Sequence, residues 1–250
     1  MLLPADGTLI INGEIEHLEE ITNGLSCRVI TYGSSSSFDY YATGVTYDEM
    51  GHTGFTLHTP SGETREIHLQ VPGQHNVGNA MAAMALSDCL DLDPARSAKA
   101  LHAFEGTDRR FEYKGTIGGV TVIDDYAHHP TEIRATLQAA SHYPHKQLWC
   151  VFQPHTYSRT KAFLSDFAQA LKAADHVVLA DIYAARETDT LGISSKDLQE
   201  KILEAGGNCT YFPSFDEIEN FLLEKCSPGD LLITMGAGDV HKIGENLLGK

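Results

Sequence analysis

The chain of 250 residues is poor in basic side chains, with 18 Lys and Arg against 34 Asp and Glu, and its formal net charge is −16. This acidity excludes nucleic-acid binding by bulk electrostatics, since phosphate backbones would be repelled. An anionic ligand would therefore need a local pocket of positive charge. No apolar run approaches the roughly 18 residues of a membrane helix, and the N-terminus lacks the basic start of a secretory signal. We therefore expect a cytoplasmic protein with neither nucleic acid nor membrane as a partner.

Cysteine is also scarce, and the five cysteines lie far apart with no CxxC pair. This spacing indicates neither a disulfide framework nor a zinc knuckle, so we expect small buried thiols. The content of 42% hydrophobic and 21% charged residues is typical of a folded domain. At about 150 residues per domain, the length indicates one large domain or two modest ones.

The first part of the chain combines strands with three helical patterns. Strand-like runs occur at 8–11, 27–32, 40–47, 54–58 and 66–71, and helical patterns at 14–22, 79–90 and 94–104. Partial alternation and the turn residues between the later runs predict an antiparallel meander attached to the end of a parallel part. The break at Gly106-Thr107-Asp108 marks the expected boundary between residues 1–106 and 107–250.

Beyond this boundary, strands and helices alternate. The predicted strands are 120–124, 148–152, 176–180, 210–212 and 231–235, and the predicted helices are about 130–143, 161–174, 194–206, 214–226 and 239–248. This alternation predicts an α/β fold with a mostly parallel sheet covered by helices on both faces. Ligands of such sheets bind at the carboxyl ends of the strands.

Polar residues follow four of these strands. The segments are 124–130 (DDYAHHP), 153–159 (QPHTYSR), 181–187 (DIYAARE) and 236–239 (GAGD). Solubility alone would favour Lys, Glu and Ser here, whereas the segments carry Asp, His, Tyr and Arg. Their convergence on one sheet edge predicts a binding site for a polar small molecule.

Each of these residues also has a plain structural interpretation. Asp125, Tyr126 and His128 could form a turn and a cap before Pro130 at the first helical position. Metal binding by Asp124, Asp125, His128 and His155 would suit a metal-dependent phosphohydrolase, but no HxH or HExxH spacing favours it. A non-catalytic binding module is a third hypothesis.

Arginine, glycine and asparagine add further candidates. Arg159, just before a helix expected to begin near residue 161, is either a solvated side chain or a bidentate clamp for a carboxylate near a helix N-terminus. The segment 236–238 (GAG) is not a dinucleotide fingerprint, because only 12 residues follow it, and we expect close packing between a strand and a helix there. Asn76 and Asn79 are three residues apart and share a helical face. One of them could cap the helix, or both could hydrogen-bond the edge of a purine base. Arg109 and Arg110 form a linker or bring an arginine to phosphates.

The segments PGQHNVGNAMAA, GTDRRFEYKG, IDDYAHHPTEI, FQPHTYSRT and GAGDV occur in this order and resemble the Mur ligase family of peptidoglycan synthesis. The resemblance is dense over residues 71–250, whereas residues 1–70 are compatible with the latter part of the family's central domain. It implies the end of a central ATP-binding domain in residues 1–106 and a Rossmann-like amino-acid-binding domain in residues 107–250. The FQPHTYSRT segment most resembles the alanine-adding members. No G-x-x-G-K-[ST] phosphate loop occurs, so we expect a truncated chain that is inactive alone.

The resemblance also implies roles for individual residues. The implied reaction joins L-alanine to UDP-N-acetylmuramate through an acyl phosphate, with ATP and Mg²⁺, whose ligands are expected mostly upstream. His75, Asn76 and Asn79 would flank adenine, Arg110 would approach the phosphates, and Asp125 would approach the ribose. Tyr126, His128, His155 and Arg159 would form the L-alanine pocket, with His128, His155 and Arg159 as the catalytic set. Thr156 stands where many relatives carry a second arginine.

Overall fold

The computed structural model describes residues 3–48 and 50–250 of the chain. The chain divides into two compact units, Met1–Glu105 and Gly106–Lys250.

Among its described residues, the first unit contains five strands and three helices. They are β1 (Thr8–Asn12), α1 (Leu18–Thr22), β2 (Arg28–Gly33), β3 (Tyr40–Tyr47), β4 (His52–His58), β5 (Thr64–Pro72), α2 (Gln74–Cys89) and α3 (Pro94–Ala103). The sheet order is β1-β2-β3-β4-β5, in which β1, β2 and β3 are parallel and the last two pairings are antiparallel. The expected meander attached to a parallel part is thus confirmed, while α1 is shorter than the helix expected over 14–22.

The core of the first unit follows from two periodicities. In β5, Ile67, Leu69 and Val71 are buried and alternate with exposed polar residues, as a strand with one covered face requires. Buried residues of α2 such as Val77 and Met84 join the same apolar cluster. The helix starts two residues before Asn76, after Gly73 at φ 99°, so neither predicted asparagine is its N-cap.

The second unit contains six strands and six helices. They are β6 (Glu112–Ile117), β7 (Val120–Asp125), α4 (Pro130–Ser141), β8 (Leu148–Phe152), α5 (Tyr157–Ala162), α6 (Leu164–Leu171), β9 (His176–Leu179), α7 (Ser195–Glu204), β10 (Cys209–Tyr211), α8 (Phe215–Lys225), β11 (Leu231–Met235) and α9 (His241–Leu247). The sheet order is β10-β9-β8-β11-β7-β6, and only β6 is antiparallel to its neighbour. The predicted mostly parallel sheet is confirmed. We did not predict β6, because this edge strand has no buried residue and so no apolar alternation.

Helices cover both faces of this sheet, as predicted. All five residues of β8 are buried. Cys150 and Phe152 belong to the apolar cluster that includes residues of α4, α6 and α7. Trp149 and Val151 point the other way, into the cluster formed with α8 and α9. A strand buried on both faces therefore reads as a continuous apolar run.

The helix predicted over 161–174 is wrong in its bounds. The structure has two helices there, α5 and α6, which meet at Phe163 (φ −112°, ψ 22°). Arg159 consequently lies in the first turn of α5 instead of preceding a helix. The prediction followed the apolar periodicity that begins at Phe163, whereas α5 begins earlier because Thr156 caps it.

The expectation of buried thiols holds for three of the five cysteines, while Cys89 and Cys226 are half-buried. All five thiols are free, and Cys27, Cys150 and Cys209 are buried. Within residues 3–48 and 50–250, no helix is both long enough and apolar enough to span a bilayer.

Candidate active site

The four polar segments lie at one edge of the second sheet. Strands β9, β8, β11 and β7 are adjacent and parallel, so their carboxyl ends meet. A short parallel bridge between His155 and Tyr183 extends the pairing of β8 and β9 into their loops. The predicted convergence of these loops is therefore confirmed.

A chain of ring contacts crosses this edge. The ring centroids of Tyr126 and His128 are 5.4 Å apart, and those of His128 and His155 are 6.0 Å apart. His155 also stacks on Tyr183 at 5.4 Å. Nη1 of Arg159 lies 3.4 Å from Nδ1 of His155. The structure thus brings together the four residues predicted to form one pocket, and all four are half-buried.

The hydrogen bonds of His128 determine which of its two ring nitrogens carries the proton. Nδ1 lies 3.0 Å from the carbonyl oxygen of Tyr126 and 3.5 Å from a carboxylate oxygen of Glu132, and both oxygens only accept. Nδ1 therefore carries the proton, and in the neutral ring Nε2 holds the lone pair. Glu132 also accepts the backbone N–H of His128, so the residue is held at two points. His128 can act as a proton acceptor through Nε2.

His155 has the opposite arrangement. A guanidinium only donates, so Nδ1 of His155 accepts from Arg159 and must be unprotonated. The pKa of His155 is lowered mainly by burial and also by the nearby charges of Arg159 and His128. Glu187 acts in the opposite direction and raises this pKa. The neutral imidazole therefore orients the guanidinium without neutralising its charge, which leaves Arg159 able to bind an anion.

The first turn of α5 is held from two sides. Thr156, at φ 67°, accepts the backbone N–H of Arg159 through Oγ1 at 3.4 Å. Glu187, from the loop after β9, accepts the backbone N–H of Ser158 at 3.0 Å and also its hydroxyl. These contacts place Arg159 on a supported backbone, although Thr156 itself contributes no charge.

Both carboxylates at the end of β7 are buried and engaged within the protein. Asp125 accepts the backbone N–H groups of Phe111 at 2.9 Å and Ala127 at 2.8 Å, and the hydroxyl of Thr136. Burial raises the pKa of Asp125 despite these bonds. Asp124 accepts from Arg109.

The engagement of these carboxylates bears on the metal hypothesis. No group of three or more His, Cys, Asp or Glu side chains among the described residues is placed to hold a metal ion. The phosphohydrolase hypothesis, which needed Asp124, Asp125, His128 and His155 as ligands, therefore lacks its metal site in this part of the chain. The physical reason is that the carboxylates are turned into the protein, toward Arg109 and backbone N–H groups.

The glycines after β11 allow close packing, but their nearest partners are loops and not the helix that the prediction named. A Cβ on Gly236 would lie 2.7 Å from the carbonyl oxygen of Gln153, and one on Gly238 would lie 2.4 Å from Gln153 Oε1 and 2.9 Å from the Tyr183 ring. The packing partners include the neighbouring loops after β8 and β9, and not only a helix. A side chain at either position would push these loops apart.

The nucleotide candidates of the first unit lie at the start of α2. Asn79 donates to the side-chain oxygen of Asn76 at 3.0 Å, and Asn76 donates to the carbonyl oxygen of Pro72 at 2.7 Å. The predicted shared face is confirmed, and His75 is exposed beside it. In the second unit, the exposed Arg110 lies 5.9 Å from the centroid of the Tyr126 ring.

Sequence reasoning gave no role to Glu132. It placed Tyr183 and Glu187 in a polar segment and Arg109 in a linker or phosphate contact, but it did not predict how these residues support the site. Glu132 carries a usable signal, since it lies three residues after His129 and completes a capping box. Glu187 carries none, because its partner Ser158 is 29 residues away.

Comparison with known proteins identifies related sequences and structures. The chain matches the Mur ligase middle domain over residues 2–87 and the Mur ligase, glutamate ligase domain over residues 109–238. The second match alone spans just over half of the chain. The UDP-N-acetylmuramate–L-alanine ligase of Agathobacter rectalis is 59% identical over 246 residues, which are 98% of this chain and 54% of that protein.

Two further relatives agree with these matches. The protein of the same name from Lachnospira eligens is 56% identical over 247 residues, covering 98% of this chain and 54% of that protein. The crystal structure of a UDP-N-acetylmuramate–alanine ligase from Thermotoga maritima superposes with a TM-score of 0.76 at 27% identity, covering 97% of this chain and 59% of that one. The chain spans about half the length of the curated relatives it matches.

Proposed function

The chain belongs to the Mur ligase family, and on that premise we propose that it is part of an ATP-dependent ligase that joins L-alanine to UDP-N-acetylmuramate. The observation that carries this proposal is the guanidinium of Arg159 held by the neutral His155, next to Tyr126 and His128. Two relatives that are 59% and 56% identical to this chain over the aligned residues bear the name of that activity. Its place in peptidoglycan synthesis and the cytoplasm follows from the same proposal.

The pocket has the groups that a small amino acid needs. Arg159 would take the carboxylate, since a planar guanidinium donates two parallel hydrogen bonds to it. Nε2 of His128 would accept the proton that the ammonium must lose before it can attack. The half-buried ring of Tyr126 packs edge-on against His128 and limits the space for a side chain. The methyl group of alanine suits such a pocket.

We assign nucleotide contacts to both units. His75, Asn76 and Asn79 would flank the adenine, and Arg110 would approach the phosphates. Asp125 would accept a ribose hydroxyl, because a carboxylate can accept about four hydrogen bonds and three are used within the protein. Residues 1–106 would thus supply the adenine contacts, and residues 107–250 would supply the amino-acid site together with Arg110 and Asp125.

In the proposed reaction, the γ-phosphoryl group of ATP activates the muramyl carboxylate as an acyl phosphate. Once Nε2 of His128 has taken one proton from the ammonium, the amine attacks the acyl carbon. The bond to phosphate then breaks, and the departing phosphate takes the second amine proton as the amide forms. Arg159 holds the amino acid by its carboxylate, which lowers the entropic cost of the attack. Mg²⁺ would be held mostly by residues outside this chain, and no step is assigned to it here.

The direct test is ligation by the complete gene product that contains this sequence. With ATP, UDP-N-acetylmuramate and L-alanine, mass spectrometry should detect the alanyl product together with one ADP per amide. Glycine should react less efficiently by a factor worth about 1–3 kcal/mol, the value of one methyl group. Absence of the amide, or a preference for a larger amino acid, would overturn the proposal. Ligand binding without turnover would favour a non-catalytic module.

A further inference from the structure

Two consecutive arginines near the start of the second unit have different surroundings. Nε of Arg109 donates to Asp124 at 2.8 Å, and Nη2 donates to the carbonyl oxygen of Gly236 at 2.7 Å. The side chain of Asp124 is 1% exposed. Arg110, in contrast, is exposed. One arginine is therefore committed to the protein, while its neighbour remains available.

The backbone around Arg110 is unfavourable. Arg109 has a φ of 58° and Phe111 a φ of 49°, in the left-handed region that side chains with a Cβ rarely adopt. Such conformations persist only where the surroundings hold them, and they cluster at ligand clamps. Residues 109–111 therefore need external support.

Hydrogen bonds to β7 and its loop supply part of this support. The carbonyl oxygen of Arg109 accepts the backbone N–H of Tyr126 at 2.7 Å, and the N–H of Phe111 donates to Asp125 at 2.9 Å. The N–H of Arg109 donates to Glu112 at 2.8 Å. The segment is thus bonded on both sides of Arg110.

The ion pair between Arg109 and Asp124 is part of a wider buried network. The second oxygen of Asp124 accepts the hydroxyl of Thr234 in β11 at 2.7 Å. Arg109 also bonds Gly236, directly after β11. The arginine therefore ties residues 109–111 to two neighbouring strands, and the fork geometry of a guanidinium is what reaches both acceptors.

Tyr126 connects this network to the candidate pocket. The guanidinium carbon of Arg109 lies 4.9 Å from the centroid of the Tyr126 ring, and that of Arg110 lies 5.9 Å from it. Both cations are within the range of a cation–π interaction with one ring. A shift of Arg109 would change the position of Arg110 relative to this ring.

We propose that Arg109 is a positioning residue that, through Asp124 and the Gly236 carbonyl, fastens residues 109–111 and so presents Arg110 to an anionic phosphate group. The identity of that phosphate as part of ATP rests on the proposed function. The fastening itself does not depend on it.

Hydrogen exchange of the chain tests the fastening. Arg109→Lys keeps the charge, but a single ammonium cannot reproduce the fork that contacts both Asp124 and Gly236. We expect the amides of Phe111 and Tyr126 to exchange at least about tenfold faster in this variant, because their local opening becomes easier. Arg134→Lys, at an exposed position of α4, is the matched control and should leave both rates unchanged. Unchanged rates in Arg109→Lys would overturn the inference.

A double-mutant cycle in the complete gene product tests the positioning. Arg109→Lys should raise the KM for ATP about tenfold, the loss expected for one misplaced charged contact, with little change in the KM for L-alanine. In an Arg110→Ala background the same substitution should have no further effect on the KM for ATP, because it acts through Arg110. An equal effect in both backgrounds would overturn the inference.

These tests separate the two proposals. If the wild-type protein does not ligate L-alanine, the proposed function fails. The inference about Arg109 is then decided by hydrogen exchange and by the nuclear magnetic resonance signal of the Arg110 Nε–H group. That resonance should move in Arg109→Lys and not in Arg134→Lys. An Arg110 resonance that stays in place would overturn the inference whatever the activity is.

Discussion

Nδ1 of His155 lies 3.4 Å from Nη1 of Arg159, four residues later in the chain. Since the guanidinium has only donors, this contact exists only while the imidazole is neutral. The protonation state of His155 is thereby coupled to the position of the group that we propose to bind a carboxylate.

This coupling predicts a pH dependence of L-alanine binding. Burial and Arg159 place the pKa of His155 below its ordinary value of 6.5, so the contact is intact at neutral pH. As the pH falls through this lowered pKa, the imidazolium forms and repels Arg159. The KM for L-alanine should therefore be flat above pH 6.5 and rise at lower pH.

A variant separates the titration of His155 from that of other groups. In His155→Asn, Oδ1 can accept from Arg159 at every pH, so the acidic rise in KM should be reduced. Retention of the full rise would assign it to another group.

The free energy of unfolding should depend on pH in the same direction as ligand binding. Folding disfavours the proton on His155, so the stability that this group contributes is complete above pH 6.5. It is lost as the pH falls through the lowered pKa.

Arg159→Lys should weaken recognition of the carboxylate. A charge-assisted hydrogen bond contributes about 1.5–3 kcal/mol, so we expect the KM for L-alanine to rise roughly 10- to 100-fold. The KM for L-alaninamide, which has no carboxylate, should rise much less. Steady-state kinetics of the complete gene product measure both, with Arg134→Lys as the control. An equal loss for the acid and the amide would show that Arg159 does not bind the carboxylate.

Gly238→Ala should destabilise the second unit. The added Cβ would lie 2.9 Å from Cγ of the Tyr183 ring and would also meet the side chain of Gln153, and overpacking of this kind costs about 1–3 kcal/mol. Urea unfolding followed by the fluorescence of Trp149, the single tryptophan, reports on this unit. In a Gln153→Ala background the cost should fall, because one clashing atom is gone. A cost that is undiminished there would place the clash elsewhere.

Asp88→Asn should destabilise the first unit. Asp88 accepts from Arg65 at 2.8 Å and from the hydroxyl of Tyr40 at 2.9 Å, which joins α2 to β5 and β3. Weakening this half-buried pair should lower the unfolding free energy by about 1–3 kcal/mol. Glu63→Gln alters the exposed partner of the same Arg65, and exposed pairs contribute at most about 1 kcal/mol. Urea unfolding followed by far-ultraviolet circular dichroism compares them, and equal effects would contradict this account.

The elements that the sequence predicted most accurately are those with the strongest burial. Strands β8 and β11 have the expected bounds, because each is a continuous apolar run buried on both faces. The edge strand β6 and the helix α5 were missed, since neither has a clear apolar period. The convergence of polar loops was predictable because parallel strands end at one edge.

The support of the site could not be predicted in the same way. Arg109 and Arg110 are identical neighbours, and only the structure shows that Arg109, at φ 58°, is the one that bonds Asp124. The contact of Glu187 with Ser158 joins separate loops and leaves no local pattern. Contacts of this kind depend on tertiary structure, which residue spacing does not encode.

The most direct test of the proposed carboxylate-binding pocket is a nuclear magnetic resonance titration of the chain with L-alanine. The side-chain resonances of His128, His155 and Arg159 should shift together as the amino acid is added, whereas L-alaninamide at the same concentrations should leave Arg159 unaffected. Shifts confined to residues outside this group, or an equal response to the amide, would contradict the account.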